Sequence, residues 1–172
     1  MVAVAKVVGE RRYRESYGRY FEDFEVGDVY EHRPGRTITE TDNIWFSLLT
    51  NNQHPLHSDA AYGKKSEFGQ CLVDSCITLS IVTGLSVSDV SAKAIANLGW
   101  DKVKLTAPVF AGDTIYAESA VLEKRQSKSR PTQGIVTVRS TGRNQDGVVC
   151  IVFERTLLIP LRGHALDDKI DY

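Results

Sequence analysis

The second half of the chain alternates apolar and polar residues, and this period of two limits the possible folds more than any other feature. The alternation covers Thr114–Leu122 and Ile135–Thr141, and a long run rich in Val and Ile occupies Val148–Ile159. A period of two predicts β-strands that bury one face. Asp146-Gly147 separates the last two runs, and Gly readily takes the positive φ that tight hairpin turns need. The sequence therefore predicts an antiparallel meander of long strands.

The first half has helical signals instead. Thr39, with Asp42 three residues later, resembles a capping box that opens a helix at about Glu40. Pro55 disfavours helical backbone at the residue before it, so this helix should end near residues 51–53. Four residues at helical spacing predict one buried apolar face: Ile44, Trp45, Leu48 and Leu49.

Two more helices are expected before the strands. Ser58-Asp59 is a suitable cap for a short helix over Ala60–Lys64. Residues 75–90, SCITLSIVTGLSVSDV, are mostly small or apolar with few charges, which suits a helix buried on nearly all sides. The economical arrangement is an α+β fold in which one buried helix lies against one curved antiparallel sheet.

Length and composition favour one domain. The chain has 172 residues, of which 42% are hydrophobic, and this length favours a single core over two domains. We expect residues 1–18 to form a flexible N-terminal arm, residues 19–162 the domain, and residues 163–172 a C-terminal tail. No uninterrupted apolar run reaches ~18 residues, so no membrane span is expected, and the N-terminus does not have the pattern of a signal peptide.

Charge and cysteine content exclude several classes of protein. With 21 Lys and Arg against 22 Asp and Glu, the chain has no basic surplus that would favour a nucleic acid partner. Three Cys without a CxxC spacing predict neither a disulfide framework nor a zinc site and fit a reducing, cytoplasmic location. His54 and His57 are three residues apart, but Pro55 prevents a shared helical face, so no metal site is expected.

One polar stretch interrupts the apolar segments. Residues 51–59 read NNQHPLHSD, which is either a solvated connection or a site. With the residues that follow, NNQHPLHSDAAYGKKSEFGQCLVDSC resembles the hydratase motif of the MaoC-like dehydratases and R-specific enoyl-CoA hydratases, which have the hot-dog fold. The resemblance covers roughly residues 20–160. TITETDNIWFSLLT and ANLGWDKV most resemble the branch that acts on mesaconyl-CoA or methylmalyl-CoA.

This resemblance implies a fold and an activity. The fold would be a single hot-dog domain, and the chain would be a homodimer or a higher homo-oligomer of dimers. The activity would be that of a hydro-lyase that reversibly hydrates an α,β-unsaturated acyl-CoA, with a short branched or dicarboxylic acyl group and no metal or organic cofactor. A hot-dog acyl-CoA thioesterase and a non-catalytic acyl-CoA-binding subunit remain as alternatives.

The resemblance also assigns roles to residues. His57 matches the catalytic His, and a neutral imidazole can take a proton from water. Ser75 matches the position whose backbone N–H forms the oxyanion hole, where a helix N-terminus favours negative charge. Thr83 matches a hydroxyl that supports the catalytic pair. Contacts with the substrate are expected from three residues: Asp59, Phe68 and Gly69.

One position departs from the family motif. The catalytic Asp, five residues before the catalytic His, is here Asn52, and an amide cannot accept a proton at physiological pH. His57 is then the sole base with Asn52 positioning the water, or Asp59 or Asp74 supplies the carboxylate, or the domain only binds its ligand. We favour the first. Asp59 and Asp74 are otherwise expected to lie at helix N-termini.

Overall fold

The computed structural model describes residues 5–170. Residues 1–4 and 171–172, the outer ends of the expected arm and tail, lie outside this description. The described chain begins with a small antiparallel hairpin of β1 (Lys6–Gly9) and β2 (Arg12–Arg14). The division of the chain into an arm, a domain and a tail stays a prediction.

One antiparallel sheet forms the body of the protein. Its strands are β3 (Val29–Thr37), β4 (Ala96–Leu105), β5 (Thr114–Gln126), β6 (Gln133–Arg143) and β7 (Val149–Pro160). They lie in the order β3-β5-β6-β7-β4. The last three strands in sequence are joined as consecutive hairpins, which confirms the predicted meander. Gly147 has a φ of +78° in the turn between β6 and β7, as the Asp-Gly signal indicated.

Three helices accompany this sheet. They are α1 (Glu40–Thr50), α2 (Ala60–Lys65) and α3 (Ser75–Leu85). The longer predicted helix ends earlier than expected, since a π-helical turn, Val87–Ser91, follows α3. α3 packs across β3, β5, β6 and β7, which confirms the α+β class and the helix lying against the sheet.

The buried face of α3 belongs to the main core. Its buried residues are Ile77, Thr78 and Val82, and Leu79, Ile81 and Leu85 are partly buried against the same core. The opposite side of α3 is exposed and carries Ser75, Cys76, Ser80 and Gly84. In a single chain, therefore, α3 has one open side, whereas the sequence predicted burial on nearly all sides.

The predicted apolar face of α1 is wrong as a buried face. Trp45 is 63%, Leu48 75% and Leu49 78% exposed, whereas Asn43 and Ser47 are buried. α1 turns this polar side inward because backbone groups of the segment before α3 need hydrogen-bond partners there. The capping box is confirmed, since the Thr39 hydroxyl accepts from the Asp42 N–H and the Asp42 carboxylate accepts from the Thr39 N–H.

The two edge strands of the sheet, β3 and β4, both have irregular pairing. β4 was not expected from the sequence, because the irregularity between Asp101 and Lys104 divides its apolar alternation into two short runs that are out of phase. Pro and Gly are unfavourable inside a strand, yet β3 continues through Pro34-Gly35 as a bulge, with His32 opposite Ala117 and Arg36 opposite Ile115.

Candidate active site

The turn between α1 and α2 presents His57. α1 ends at Thr50, and Asn51 takes a left-handed φ of +56°. Pro55 then begins a short 3-10 turn, Pro55–His57, and His54 Nδ1 accepts a hydrogen bond from the Leu56 N–H at 3.1 Å. The predicted role of Pro55 in ending the helix and forming the turn is confirmed, and His54 serves as the cap of that turn.

The tautomer of His57 follows from one hydrogen bond. Its Nδ1 lies 2.9 Å from the carbonyl oxygen of Leu72. Because a carbonyl only accepts, Nδ1 must carry the hydrogen, and the lone pair of the neutral ring is then on Nε2. Nε2 has no hydrogen-bond partner in residues 5–170, so it is available to a molecule in the adjoining space.

His57 lines a cavity of about 350 Å³. The other walls come from α1, α2 and the segment after α2, and include Glu40, Asn43, Ile44, Lys64, Gly69 and Gln70. This volume falls in the range of small-molecule sites, which are mostly apolar with a few placed polar groups. A water held here against Nε2 could lose its proton to the imidazole.

Asn52 and Asp74 form a pair at the end of this turn. Asn52 Nδ2 donates to Asp74 Oδ2 at 2.5 Å, and Asn52 Oδ1 accepts from the His54 N–H at 3.1 Å. Asp74 is 4% exposed, and its other oxygen accepts from the Cys76 N–H at 2.7 Å, capping α3. A carboxylate at position 52 would face a second buried carboxylate, so the amide is the group that fits beside Asp74.

Ser75 is the first residue of α3. Its N–H makes no hydrogen bond within the described chain, and it lines a second cavity of about 300 Å³ together with Phe68, Leu72 and Thr78. A free N–H at a helix N-terminus is a suitable donor to a developing oxyanion. In the single chain, the cavities at His57 and Ser75 are separate, and different residues of the segment 68–73 line each of them.

The remaining site residues from the sequence are distributed around this region. Gly69 lines the His57 cavity and Phe68 lines the Ser75 cavity. Asp59 lines neither cavity, and its carboxylate caps α2 by accepting from the Tyr62 N–H at 3.0 Å. Thr83 shares no hydrogen bond with His57 or Asn52, and its hydroxyl accepts from Trp100 Nε1 at 3.3 Å.

The cysteines near the site are not activated. Burial raises the pKa of the Cys71 thiol and of the Cys76 thiol, with nearby carboxylates acting in the same direction. Both thiols therefore stay protonated at neutral pH and are poor nucleophiles. All three cysteines are free.

Two kinds of feature are absent from residues 5–170. No group of three or more His, Cys, Asp or Glu is arranged to hold a metal ion. No helix within that range combines the length and the apolar character needed to cross a membrane.

No sequence signal marked Asn43, which the structure places in the site. Asn in a helix is usually a solvated residue, yet here it is buried and lines the His57 cavity. Its partners lie 14 to 31 residues further along the chain. Contacts over such separations leave no local pattern.

Comparisons with known proteins identify the family of the chain. The chain is 32% identical over 148 residues to the mesaconyl-CoA hydratase of Cereibacter sphaeroides, covering 86% of this chain and 43% of that protein. It is 35% identical over 145 residues to the beta-methylmalyl-CoA dehydratase of Chloroflexus aurantiacus, covering 84% of this chain and 41% of that protein. The chain thus spans less than half the length of these relatives.

The fold is shared with solved structures. A Mycobacterium tuberculosis protein with a double hot-dog fold superposes with a TM-score of 0.77 at 20% identity, covering 87% of this chain and 47% of that one. The predicted hot-dog fold is therefore confirmed. A sequence profile described as mesaconyl-CoA hydratase matches residues 3–169, and the chain belongs to this family.

Proposed function

We propose that this chain reversibly adds water to the double bond of an α,β-unsaturated acyl-CoA thioester. The observation that carries the proposal is the His57 ring, which lines a cavity and whose Nδ1–H is held by the Leu72 carbonyl, so that Nε2 is left without a partner among residues 5–170. The family membership supports the same chemistry, since the named relatives are a hydratase and a dehydratase of CoA thioesters.

The reaction needs one base and one oxyanion donor. His57 Nε2 takes a proton from water as the water oxygen bonds to Cβ, and the π electrons move through Cα onto the thioester oxygen. The Ser75 N–H, at the N-terminus of α3, donates to that oxygen. The imidazolium then returns its proton to Cα, and the thioester carbonyl reforms.

Asn52 and Asp74 support this reaction without acting as bases. Asn52 uses its oxygen and one of its amide hydrogens on His54 and Asp74, which leaves one hydrogen for orienting water. Asp74 is buried and both its oxygens accept hydrogen bonds. His57 is therefore the sole base of the proposed mechanism, and Asn52 is an orienting group.

The proposed acyl group is short and carries one free carboxylate in addition to the thioester. The matching family and the first named relative concern mesaconyl-CoA. The side chain of Lys64 lines the His57 cavity and has no ion-pair partner in the described part of the chain. Its charge would meet a carboxylate on the α2 side of the cavity, whereas Glu40 on α1 disfavours one on the opposite side.

Two signals followed together test this function. The protein is incubated with crotonyl-CoA and with mesaconyl-CoA, while enoyl absorbance and free thiol are recorded. Hydration removes the enoyl absorbance without releasing thiol. Release of thiol would instead show that the protein is a thioesterase. If neither signal changes with either substrate, the proposed activity is wrong and the alternative of a non-catalytic acyl-CoA-binding subunit is favoured.

We also infer that two copies of the chain pair through β4. This strand has an unpaired outer edge in the described structure, and it exposes Leu98, Trp100, Val103 and Leu105. Unprotected apolar edges favour pairing with another strand, and the open side of α3 adjoins this edge through the Trp100–Thr83 contact. Sedimentation should show a dimer that Val103→Lys converts to a monomer, whereas Val29→Lys on the opposite edge strand leaves it intact.

A further inference from the structure

Asn43 is buried in a way that its position in α1 does not explain. It is 4% exposed, whereas the two residues that follow it, Ile44 and Trp45, are 43% and 63% exposed. A buried amide is costly unless its hydrogen bonds are made. Asn43 makes three of them, and all three reach the region around His57.

The two donors of the amide go to carbonyl groups. Asn43 Nδ2 donates to the His57 carbonyl at 2.7 Å and to the Leu72 carbonyl at 3.0 Å. The Leu72 oxygen is also the acceptor for His57 Nδ1 at 2.9 Å. Asn43 therefore holds both the backbone of His57 and the atom that sets the tautomer and direction of its ring.

The acceptor of the same amide goes to the start of α3. Asn43 Oδ1 accepts from the Asp74 N–H at 2.9 Å, and Asp74 immediately precedes Ser75, whose N–H is the proposed oxyanion donor. One side chain thus joins the turn that carries the base to the helix end that carries the donor. The pattern of one acceptor and two donors is one that an amide, but not a carboxylate, supplies.

The neighbouring buried residue of α1 shows that burial alone does not require these bonds. Ser47 lies one turn after Asn43 on the same side of the helix and is 5% exposed. Its hydroxyl has no hydrogen-bond partner. Packing against this region is therefore possible without a polar tie, and the three bonds of Asn43 need another reason.

We propose that Asn43 is a positioning residue that sets the orientation of His57 and its spacing from the α3 N-terminus. The inference rests on the proposed hydration reaction for its kinetic effect. Its structural effect, the Nδ1–H tautomer of His57, is independent of any substrate. Removing the amide frees the Leu72 carbonyl and the turn, so the ring loses its fixed direction.

Two variants and one control test this role. Asn43→Leu removes all three bonds with little change in size. Asn43→Asp keeps the shape and an acceptor for the Asp74 N–H but removes both amide donors, and it serves if the leucine variant does not fold. Ser47→Ala is the matched control, because it changes the neighbouring buried position where no bond is made.

Each protein is measured in two ways. The kcat for crotonyl-CoA hydration should fall about 10²-fold in both Asn43 variants, since a displacement of about 1 Å has this effect on a reaction. It should stay within about threefold of wild type in Ser47→Ala. Nitrogen-15 spectra of labelled histidine should show the Nδ1–H tautomer of His57 in the wild type and a mixture of tautomers in the Asn43 variants.

The two measurements separate the failure of this inference from the failure of the proposed function. If the wild type hydrates no CoA thioester but the tautomer still changes, the positioning role stands and the function is wrong. If the Asn43 variants keep the wild-type tautomer, the positioning role is overturned, whatever their kcat. Unchanged kcat in folded Asn43 variants of an active enzyme also overturns it.

Discussion

The two ends of α3 both carry buried polar clusters, but they differ in what their unused atoms face. At the N-terminal end, His57 Nε2 and the Ser75 N–H have no partner among residues 5–170, and each belongs to a residue that lines a cavity. At the C-terminal end, His32 Nδ1 and Arg155 Nε have no hydrogen-bond partner in the described part of the chain. These two residues are 3% and 2% exposed, and neither lines those cavities. An unpaired atom of a residue that lines a cavity can contact a substrate, whereas an unpaired atom of a buried residue away from the cavities cannot.

The C-terminal cluster is built from charges held by few partners. Arg155 Nη2 donates to the Ser86 hydroxyl at 2.8 Å, and burial lowers the pKa of Arg155 to about 10. Arg19 donates to Asp89 at 2.7 Å, and His32 Nε2 lies 2.9 Å from the Ser119 hydroxyl. Arg155 is near the last turn of α3, where the helix dipole favours a cation. We therefore expect this end to affect stability and the other end to affect catalysis.

The largest expected effect is at the N-terminal end. His57→Ala should lower kcat for enoyl-CoA hydration ~10²–10⁴-fold, because the reaction loses its only base. The loss is measured by following the decrease of enoyl absorbance with time. His54→Asn is the control, since the new amide oxygen can still accept from the Leu56 N–H that His54 Nδ1 now caps. A His57→Ala protein with the wild-type rate would exclude His57 as the base.

The next effect is at the C-terminal end and concerns stability. Asp89→Asn leaves the nearly buried Arg19 cation without its carboxylate, and this should lower the free energy of unfolding by roughly 2–4 kcal/mol. Urea unfolding measures the change, with the exposed Asp101→Asn as control. The kcat of the folded variant should be unchanged. A loss of activity without a loss of stability would contradict the distinction between the two ends.

A smaller effect is expected from Asn52→Asp. The substitution places two carboxylates side by side where Asn52 now donates to Asp74 at 2.5 Å, and such a pair holds a shared proton more tightly than the unfolded chain does. The free energy of unfolding should fall by about 1–3 kcal/mol at pH 8, and this deficit should shrink toward pH 5. Asn51→Asp, on the adjacent exposed residue, is the control. Wild-type stability at pH 8 would show that Asp74 does not need the amide.

The smallest effect is a pH dependence from His32. Burial is the main cause that lowers the pKa of His32 below its ordinary 6.5. The unfolded chain therefore binds a proton that the folded chain resists, so stability is complete above about pH 6.5 and is lost as the pH falls below it. The slope from this group is at most about 1.4 kcal/mol per pH unit. The free energy of unfolding, measured with urea between pH 5 and pH 7, should depend less steeply on pH in His32→Gln than in the wild type.

The sequence predicted those parts of the fold that local patterns determine. The alternation of β5, β6 and β7 and the Asp146-Gly147 turn are local, and the structure contains both. The edge strand β4 was missed because the irregularity between Asp101 and Lys104 divides its apolar alternation into two short runs that are out of phase. The apolar face of α1 was wrongly expected to be buried. Helical periodicity shows that a helix has an apolar face, but it does not show whether another element covers that face.

The site was likewise predictable only where its residues lie within one local motif. Pro55 and His57 lie within one short motif, so their turn could be expected from the sequence. Asn43 could not, because its role comes from contacts with residues on other elements. The C-terminal cluster left no signal either, since His32, Asp89 and Arg155 come from three distant segments that only the fold brings together.

One measurement tests most directly whether the N-terminal end of α3 is the active site. Butyryl-CoA has a saturated acyl chain, so it can bind without being hydrated, and nitrogen-15 spectra can follow labelled histidine and serine during its addition. We predict that the His57 Nε2 and Ser75 amide resonances shift with saturation while the His32 ring resonances do not. A protein saturated with butyryl-CoA in which His57 does not respond would contradict the proposal.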